Sequence, residues 1–455
     1  MSYPGSLHNH TCYSNLKFRD SINRISNLID YALELDHKVI AITEHDTISN
    51  ALKVEKYYKA VKKEHPDFKV ILGNEIYLCR NGLNAENFIS GSDKYYHFIL
   101  LAKDAIGHQQ IRELSTRAWT RSYFSRNQRR IPTYYSDLEE VLGANPGHVI
   151  GTTACLGGCL ATQLLRYRES KDESLYTQII NWSNYLNSIF GKDNFYFELQ
   201  PAGSPEQNYV NTEIIKLSEQ IDIPYIITTD SHYLKKEDAS IHEAYLNSQD
   251  ADREVKSFYA TTYMMGTEEL EGYTLNNFIT KERLNKAYES ILKISEMCED
   301  YTLEKSLVIP RLQWKIPTLQ NIEEYWFDRI PYLKTFYESD YEGDNILARA
   351  IIQKIKEKPS ELDNQKTYEA IADNLEKTWE SSLVNKTHWS AYFLNLQRII
   401  EECWNAGTLV GPGRGSGVGF ILLYILDIIQ INPLQETTET FSFRFLNPSR
   451  VSVLD

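Results

Sequence analysis

Over the first 285 residues, short apolar runs alternate with amphipathic stretches. The runs at 38–43 (KVIAIT), 69–72 (KVIL), 97–101 (HFILL), 195–199 (FYFEL) and 225–228 (YIIT) are rich in β-branched or aromatic residues, the pattern of buried strands. Between them, 22–35 and 211–221 place apolar residues at helical spacing. Apolar strands separated by helices predict parallel βα units, and this many units in fewer than 300 residues predict a barrel as readily as an open sheet. From 286 to 380 the strand-like runs disappear and charged helical stretches take over, as at 345–358 and 363–380. A third texture, from 381 to 455, contains a glycine-rich turn at 409–417 and an apolar stretch at 418–431. That stretch is interrupted by Asp427 and is too short to span a bilayer, so it reads as a buried helix. The expected division is 1–285, 286–380 and 381–455.

The 455 residues carry 48 Lys+Arg against 62 Asp+Glu, a formal net charge of −14. This excludes coating of nucleic acid by a uniformly basic surface, but not a basic groove on an acidic body. Six scattered cysteines, at 12, 79, 155, 159, 298 and 403, point to a reducing cytoplasm and not to a disulfide framework. The opening MSYPGSLHNH has no basic segment leading into an apolar run, so no secretory signal is expected, and no membrane association.

Ligand-type residues fall beside the strand candidates. His8 and His10 form an H-x-H, and on an extended segment residues i and i+2 share a face. His45 follows KVIAIT, Glu75 follows KVIL, and His97 opens HFILL. Cys155 lies in the turn TTACLGG, and Asp230 and His232 form D-S-H after YIIT. In a β/α barrel, active sites are built at strand ends. One histidine there would mean little. The whole set in one domain points to a metal centre, and its mixture of imidazole and carboxylate suits zinc, manganese or iron. A carboxylate such as Glu75 can bridge two ions in a hydrolytic site.

The segments LHNHTCYS, AITEHDT, GNEIYL, HFILLAKD, TTACLGG and TTDSHYL resemble the polymerase-and-histidinol-phosphatase (PHP) metallohydrolase domain. They are most similar to the PHP domain that opens bacterial replicative DNA polymerase III alpha subunits. The resemblance implies an α/β fold, a PHP-type distorted β/α barrel with up to three Zn²⁺ or Mn²⁺ ions. One ion would take His8, His10 and Asp230, with Glu75 bridging. A second would take Glu75, His97 and Cys155. A third would take His45, His232 and Asp20. Glu44 and Asp46 are candidates to support these ligands, or simply to cap a helix. A full ligand set implies a metal-dependent phosphoesterase, as a 3′–5′ exonuclease on DNA. A small phosphate ester as substrate, or a purely structural platform, are the competing readings.

Residues 112–130, RELSTRAWTRSYFSRNQRR, hold six arginines and one glutamate. Arginine for phosphates and interleaved aromatics for unstacked bases are the combination expected of single-strand contacts. The candidates are Arg117, Trp119, Arg121, Tyr123, Arg126, Arg129 and Arg130. Near the C-terminus, LVGPGRGSG lets backbone N–H groups approach phosphates, with Gly413, Arg414, Gly415 and Ser416 as candidate nucleotide contacts. It lacks the lysine of a P-loop. In order and spacing HWSAYFLNLQRIIEECWNAGTLVGPGRGSG, ILDIIQINPL and FRFLNPSRVSV resemble the start of the polymerase III alpha palm.

That resemblance implies a helical connector followed by an incomplete polymerase-β-like nucleotidyltransferase palm. The family usually has a small residue where Phe420 stands. Asp455 matches the first of the aspartates that hold two Mg²⁺ ions for nucleotide addition, and the chain ends there. One carboxylate cannot anchor such a site, so this polypeptide alone is not expected to polymerise DNA. It is either a fragment or one half of a split enzyme. Completed by a C-terminal portion or second chain, it would act on DNA and deoxynucleoside triphosphates with other replisome subunits.

Overall fold

The structure, a computed structural model, describes residues 1–16, 19–79, 95–125, 128–201, 203–248, 259–275, 277–303, 308–435 and 440–451. It divides into two compact units, Met1–Leu303 and Glu304–Asp455. Among the described residues, no helix is long and apolar enough to cross a membrane.

The first unit is built on strands β1 (Val39–Ile42), β2 (Lys69–Cys79), β3 (Tyr96–Ala102), β4 (Tyr123–Ser125), β5 (Gln128–Arg130), β6 (Pro132–Tyr134), β7 (Val149–Thr152), β8 (Phe195–Leu199) and β9 (Tyr225–Ile227). Seven of them form one sheet in the order β1-β2-β3-β7-β8-β9, with β6 also pairing β2; β4 and β5 form a separate hairpin. The expected apolar runs are all strands, and they are buried because helices cover the sheet.

The sheet is mixed, not parallel throughout. β3 runs antiparallel to both β2 and β7, while the β1–β2, β2–β6, β7–β8 and β8–β9 pairs are parallel. This reversal has a consequence for the site. The N-terminal end of an antiparallel strand lies beside the C-terminal ends of its parallel neighbours. His97, at the start of β3, therefore joins residues that follow the other strands. β2 is also longer than its apolar core predicts: it runs through Glu75 to Cys79.

The N-terminal segment links the two edges of the sheet without being a regular strand. On one side Ala41 N–H donates to the Ser6 carbonyl (3.0 Å) and Thr43 N–H to that of Asn9 (2.9 Å). On the other, His10 N–H donates to the Ser231 carbonyl (2.9 Å) and Ser231 N–H to that of His8 (3.3 Å). The H-x-H is thus held between β1 and the end of β9.

His37, just before β1, is buried, with its Nε2–H donating to the Met265 carbonyl (3.1 Å) and its Nδ1 lacking a hydrogen-bond partner. Burial pushes its pKa down to about 4 from 6.5. A base whose folded pKa is depressed binds fewer protons folded than unfolded at intermediate pH. Its contribution is therefore complete above pH 6.5 and is lost as pH falls toward 4. Between pH 7.5 and pH 5 the first unit should lose about 2 kcal/mol from this residue. Urea unfolding of the wild type and His37→Gln at the two pH values measures it, and the variant should show the smaller pH effect.

In the second unit every regular element formed by the described residues is helical. Helices Glu342–Glu357, Gln365–Asn385 and Trp389–Asn405 enclose a core that includes Ile351, Leu375, Phe393 and Phe420. Phe420 is fully buried, stacked on Phe393 (ring centroids 5.6 Å apart) and close to Phe445 (5.1 Å), so it is a central piece of the packing. The apolar stretch at 418–431 is not one helix. Only Ile421–Ile425 is helical, and Asp427 (φ 57°) turns the chain into the left-handed region. Phe420 to Leu426, with Ile428 and Ile429, are all buried, and not along one helical face only. The palm-like character of 381–455 is carried by its motifs and not by a sheet.

Candidate metal centre

All nine predicted ligands converge in the first unit, in three overlapping groups. In the first, His8 Nε2 and His10 Nε2 lie 2.9 and 3.0 Å from Glu75 Oε2, and 3.1 and 3.2 Å from Asp230 Oδ1. In the second, His97 Nδ1 contacts Glu75 Oε1 and lies 3.4 Å from Cys155 Sγ. In the third, Asp20 Oδ2 is 2.5 Å from His45 Nε2 and 2.9 Å from His232 Nε2. The His10 ring stacks on His45, with centroids 4.1 Å apart, and links the first and third groups. Glu75 is common to the first two, and His45 Nδ1 is 3.4 Å from its Oε2. All are buried except His97, whose side chain is 22% exposed and opens the cluster to solvent.

Local backbone explains the convergence. Asp230 sits in the left-handed region (φ 49°), which aspartate tolerates better than most residues, and this turns its carboxylate toward the H-x-H. Gly157 lets the turn after β7 close over His97, since a Cβ there would lie 3.1 Å from three atoms of the ring.

Hydrogen bonds determine which nitrogen of each ring faces inward. His8 Nδ1 donates to Glu198 Oε1 (2.7 Å). Ser14 Oγ donates to Glu44 Oε2 (2.6 Å), so it accepts from His10 Nδ1 (3.0 Å). His232 Nδ1 donates to the Asp230 carbonyl (2.8 Å). The neutral forms of these rings therefore present Nε2 lone pairs to the carboxylates, and the His8 and His10 Nε2 atoms are only 3.1 Å apart. In that neutral form, lone pairs facing lone pairs and carboxylates call for a positive charge between them, which a bound metal ion or protons on the rings supply. A set of imidazoles, carboxylates and one thiol fits zinc, manganese or iron.

Without a metal ion, protons on the rings meet the same need. Burial opposes protonation of His8, His45 and His232, but the facing carboxylates outweigh it and hold their pKa values above the imidazole range: Asp230 and Glu198 for His8, Glu75 and Asp20 for His45, Asp20 and Asp230 for His232. Burial likewise opposes ionisation of Glu75 and Asp20, and the adjacent imidazoles hold both well below the carboxylate range. Burial, with Asp230 and Glu75 nearby, pushes the Cys155 thiol up.

Several supporting residues escape sequence reasoning. Glu198 accepts from His8, from Thr228 Oγ1 (2.6 Å) and from Thr152 Oγ1 (2.5 Å). Its signal was visible: a carboxylate inside the apolar run FYFEL must find partners when buried. Ser14, Tyr259 and His242 had no such signal. Tyr259 donates to Asp20 Oδ1 (2.8 Å), and His242 Nε2 to the Asp20 carbonyl (2.5 Å). Glu44 is an anchor, not a helix cap: it accepts from Thr11 N–H (3.0 Å), Thr11 Oγ1, Ser14 and Asn50.

The arginine strip divides between helix Ala105–Thr120 and the β4–β5 hairpin. Carboxylates of the same helix and of the next helix, Tyr135–Ala144, neutralise part of it. Arg117 pairs with Glu113 (2.6 Å) and Glu140 (2.8 Å), and Arg121 makes a two-pronged bond to Asp137 (2.6 and 2.9 Å). Arg129 lies over the Phe124 and Trp119 rings, at 4.6 and 5.7 Å, and Arg130 over Tyr95 at 5.4 Å. Tyr123 and Phe124 are exposed, Phe124 by 69%. Trp119 ties the strip to the metal cluster, its indole N–H donating to the carbonyl of Asp46, next to His45 (2.6 Å). Arg126 lies outside the described residues.

In the second unit, Gly413 (φ 152°) and Gly415 (φ 66°) adopt positive-φ conformations that favour glycine. They leave Arg414, Gly415 and Ser416 exposed. The elements that follow are a 3₁₀ turn at Gly415–Gly419 and the five-residue helix Ile421–Ile425, not a long helix starting at the turn. Asp455 lies outside the described residues.

Comparisons with known proteins match both units. The PHP domain model matches residues 6–202, and the bacterial DNA polymerase III alpha NTPase domain model matches residues 345–455. The chain is 37% identical to the DNA-directed DNA polymerase of Bacillus phage SPbeta, over 94% of this chain and 34% of the phage protein. It is 29% identical to DNA polymerase III subunit alpha of Aquifex aeolicus and 26% to that of Borreliella burgdorferi, each over 99% of this chain. The matches cover 35% and 34% of those subunits, so the chain spans about a third of the length of these relatives. With a PHP model on one unit, a polymerase III alpha model on the other and alpha subunits aligned along its length, the chain belongs to the bacterial DNA polymerase III alpha family, as an N-terminal part of it.

Proposed function

We propose that the first unit is a metal-dependent phosphoesterase that removes nucleotides from DNA 3′ ends, within the N-terminal part of a replicative DNA polymerase. The observation that carries this reading is the meeting of nine ligand-type side chains around Glu75, with imidazole nitrogens turned toward shared carboxylates. His8, His10, Glu75 and Asp230 would hold one ion, Glu75, His97 and Cys155 a second, and Asp20, His45 and His232 a third. Zn²⁺ or Mn²⁺ there would supply Lewis-acid activation of water and of the phosphodiester. Glu198, Ser14 and Glu44 keep the imidazoles in the ligating tautomer. Phe124, Arg129 and Arg130 offer stacking and charge to an incoming strand. In the second unit, Gly413, Arg414, Gly415 and Ser416 are proposed to contact a nucleotide triphosphate. Asp455, with aspartates from a C-terminal portion or second chain, would hold Mg²⁺. The setting is cytoplasmic replication with other replisome subunits.

The deciding experiment uses 3′-labelled single-stranded DNA, Mn²⁺ or Zn²⁺, and Asp230→Ala. Metal-dependent release of terminal nucleotides that the substitution abolishes supports the reading. Activity on small phosphate esters only, or bound metal without turnover, overturns it. Within the strip, Phe124→Ala should weaken single-strand binding by about 1–3 kcal/mol, whereas Arg117→Ala, whose guanidinium is already paired, should change it little; fluorescence anisotropy separates the two.

A further inference from the structure

A cavity of about 280 Å³ opens directly beside the metal cluster. Cys155 and Asp230, ligand candidates from two different groups, form part of its wall. Leu156 and Ala260 contribute apolar surface, and Gln200 and Gln207 contribute amides. Both glutamines are more than nine-tenths buried; the Gln200 amide donates to Glu198 Oε1 (3.3 Å), and the Gln207 amide to Asn211, which also holds the Gln200 backbone. Asn211 Oδ1 accepts from Gln207 Nε2 (3.0 Å) and from Gln200 N–H (3.3 Å), and Asn211 Nδ2 donates to the Gln200 carbonyl (2.7 Å).

Three properties define what fits. The cavity lies next to the candidate hydrolytic ions, so its occupant is attached to the scissile phosphate. No lysine or arginine among the described residues lines it, so it suits a neutral group and leaves the phosphate to the metal side. Apolar walls with fixed amides match the faces and the hydrogen-bonding edge of a base. The volume is at the lower end of small-molecule sites, enough for one nucleoside and too small for a base pair.

We infer that this cavity receives the base and sugar of the terminal nucleotide, so the site acts on an unpaired 3′ end. The inference rests on the proposed phosphoesterase reading for its biological meaning. Its test does not require turnover. Thymidine, which carries no phosphate, is titrated against the full chain and followed by saturation-transfer NMR. Leu156→Trp and Ala260→Trp fill the cavity from two sides and should each weaken thymidine binding by roughly tenfold or more, with metal content and circular dichroism unchanged. The inference is overturned if thymidine does not bind, or if it binds both folded variants as it binds the wild type. Thymidine binding lost in the variants, in a protein that hydrolyses no DNA, would keep the cavity assignment and reject the phosphoesterase reading. With an active protein, an unpaired 3′ terminus should be removed roughly tenfold or more faster than a paired one; equal rates would overturn the unpaired-end specificity.

Discussion

Glu75→Gln is expected to reduce DNA hydrolysis by about a thousandfold or more and to lower the bound metal, while the circular dichroism stays native. The shape of the side chain is kept, so packing is not the cause. What changes is charge and donor character. Glu75 Oε2 faces His8, His10 and His45, and Oε1 faces His97. A glutamine presents no anion, and its amide hydrogens would point at nitrogen lone pairs. Two of the three ligand groups share this carboxylate, so its loss affects both at once. Metal content by elemental analysis, read beside the hydrolysis rate, is the measurement. Full metal occupancy and wild-type activity in the variant would remove Glu75 from the centre.

Stripping the metals should destabilise the first unit by about 3–4 kcal/mol relative to the protein at saturating metal. A cation that binds only the folded state adds stability in proportion to the logarithm of its saturation. Here the folded state without cations also retains inward lone pairs and four buried carboxylates, Asp20, Glu75, Glu198 and Asp230, within one cluster. For a unit of this size the shift in melting temperature is of the order of 5–15 °C. Calorimetry with and without chelator measures it, and re-addition of Mn²⁺ or Zn²⁺ should restore the midpoint. No shift on chelation would mean that the cluster is satisfied without metal.

Much of this was legible along the chain. A run such as FYFEL can only be a buried strand, and H-x-H on an extended segment must put both imidazoles on one face. Eight of the nine metal candidates stand in motifs that can be read locally or by family resemblance. The ninth, Asp20, lies in a segment of irregular length; the resemblance names it, and the structure sets it between His45 and His232. Charge counting was the least reliable guide. The arginine strip looks strongly basic as a window, yet Asp137 and Glu140 engage two of its arginines from the next helix.

The sequence by itself determined five of the nine strands, the three textures of the chain and the chemistry available, because burial and periodicity are local properties. The tertiary structure alone decided three things. It reversed β3, which carries His97 to the common mouth. It wedged residues 4–10 between β1 and the end of β9, which joins the H-x-H to Asp230. It also selected Glu198 and the Ser14–Glu44 pair as the groups that orient the imidazoles. Each depends on pairing between residues 18 to more than 200 positions apart. No window on the sequence contains both partners of such a bond, so their meeting is a property of the folded chain.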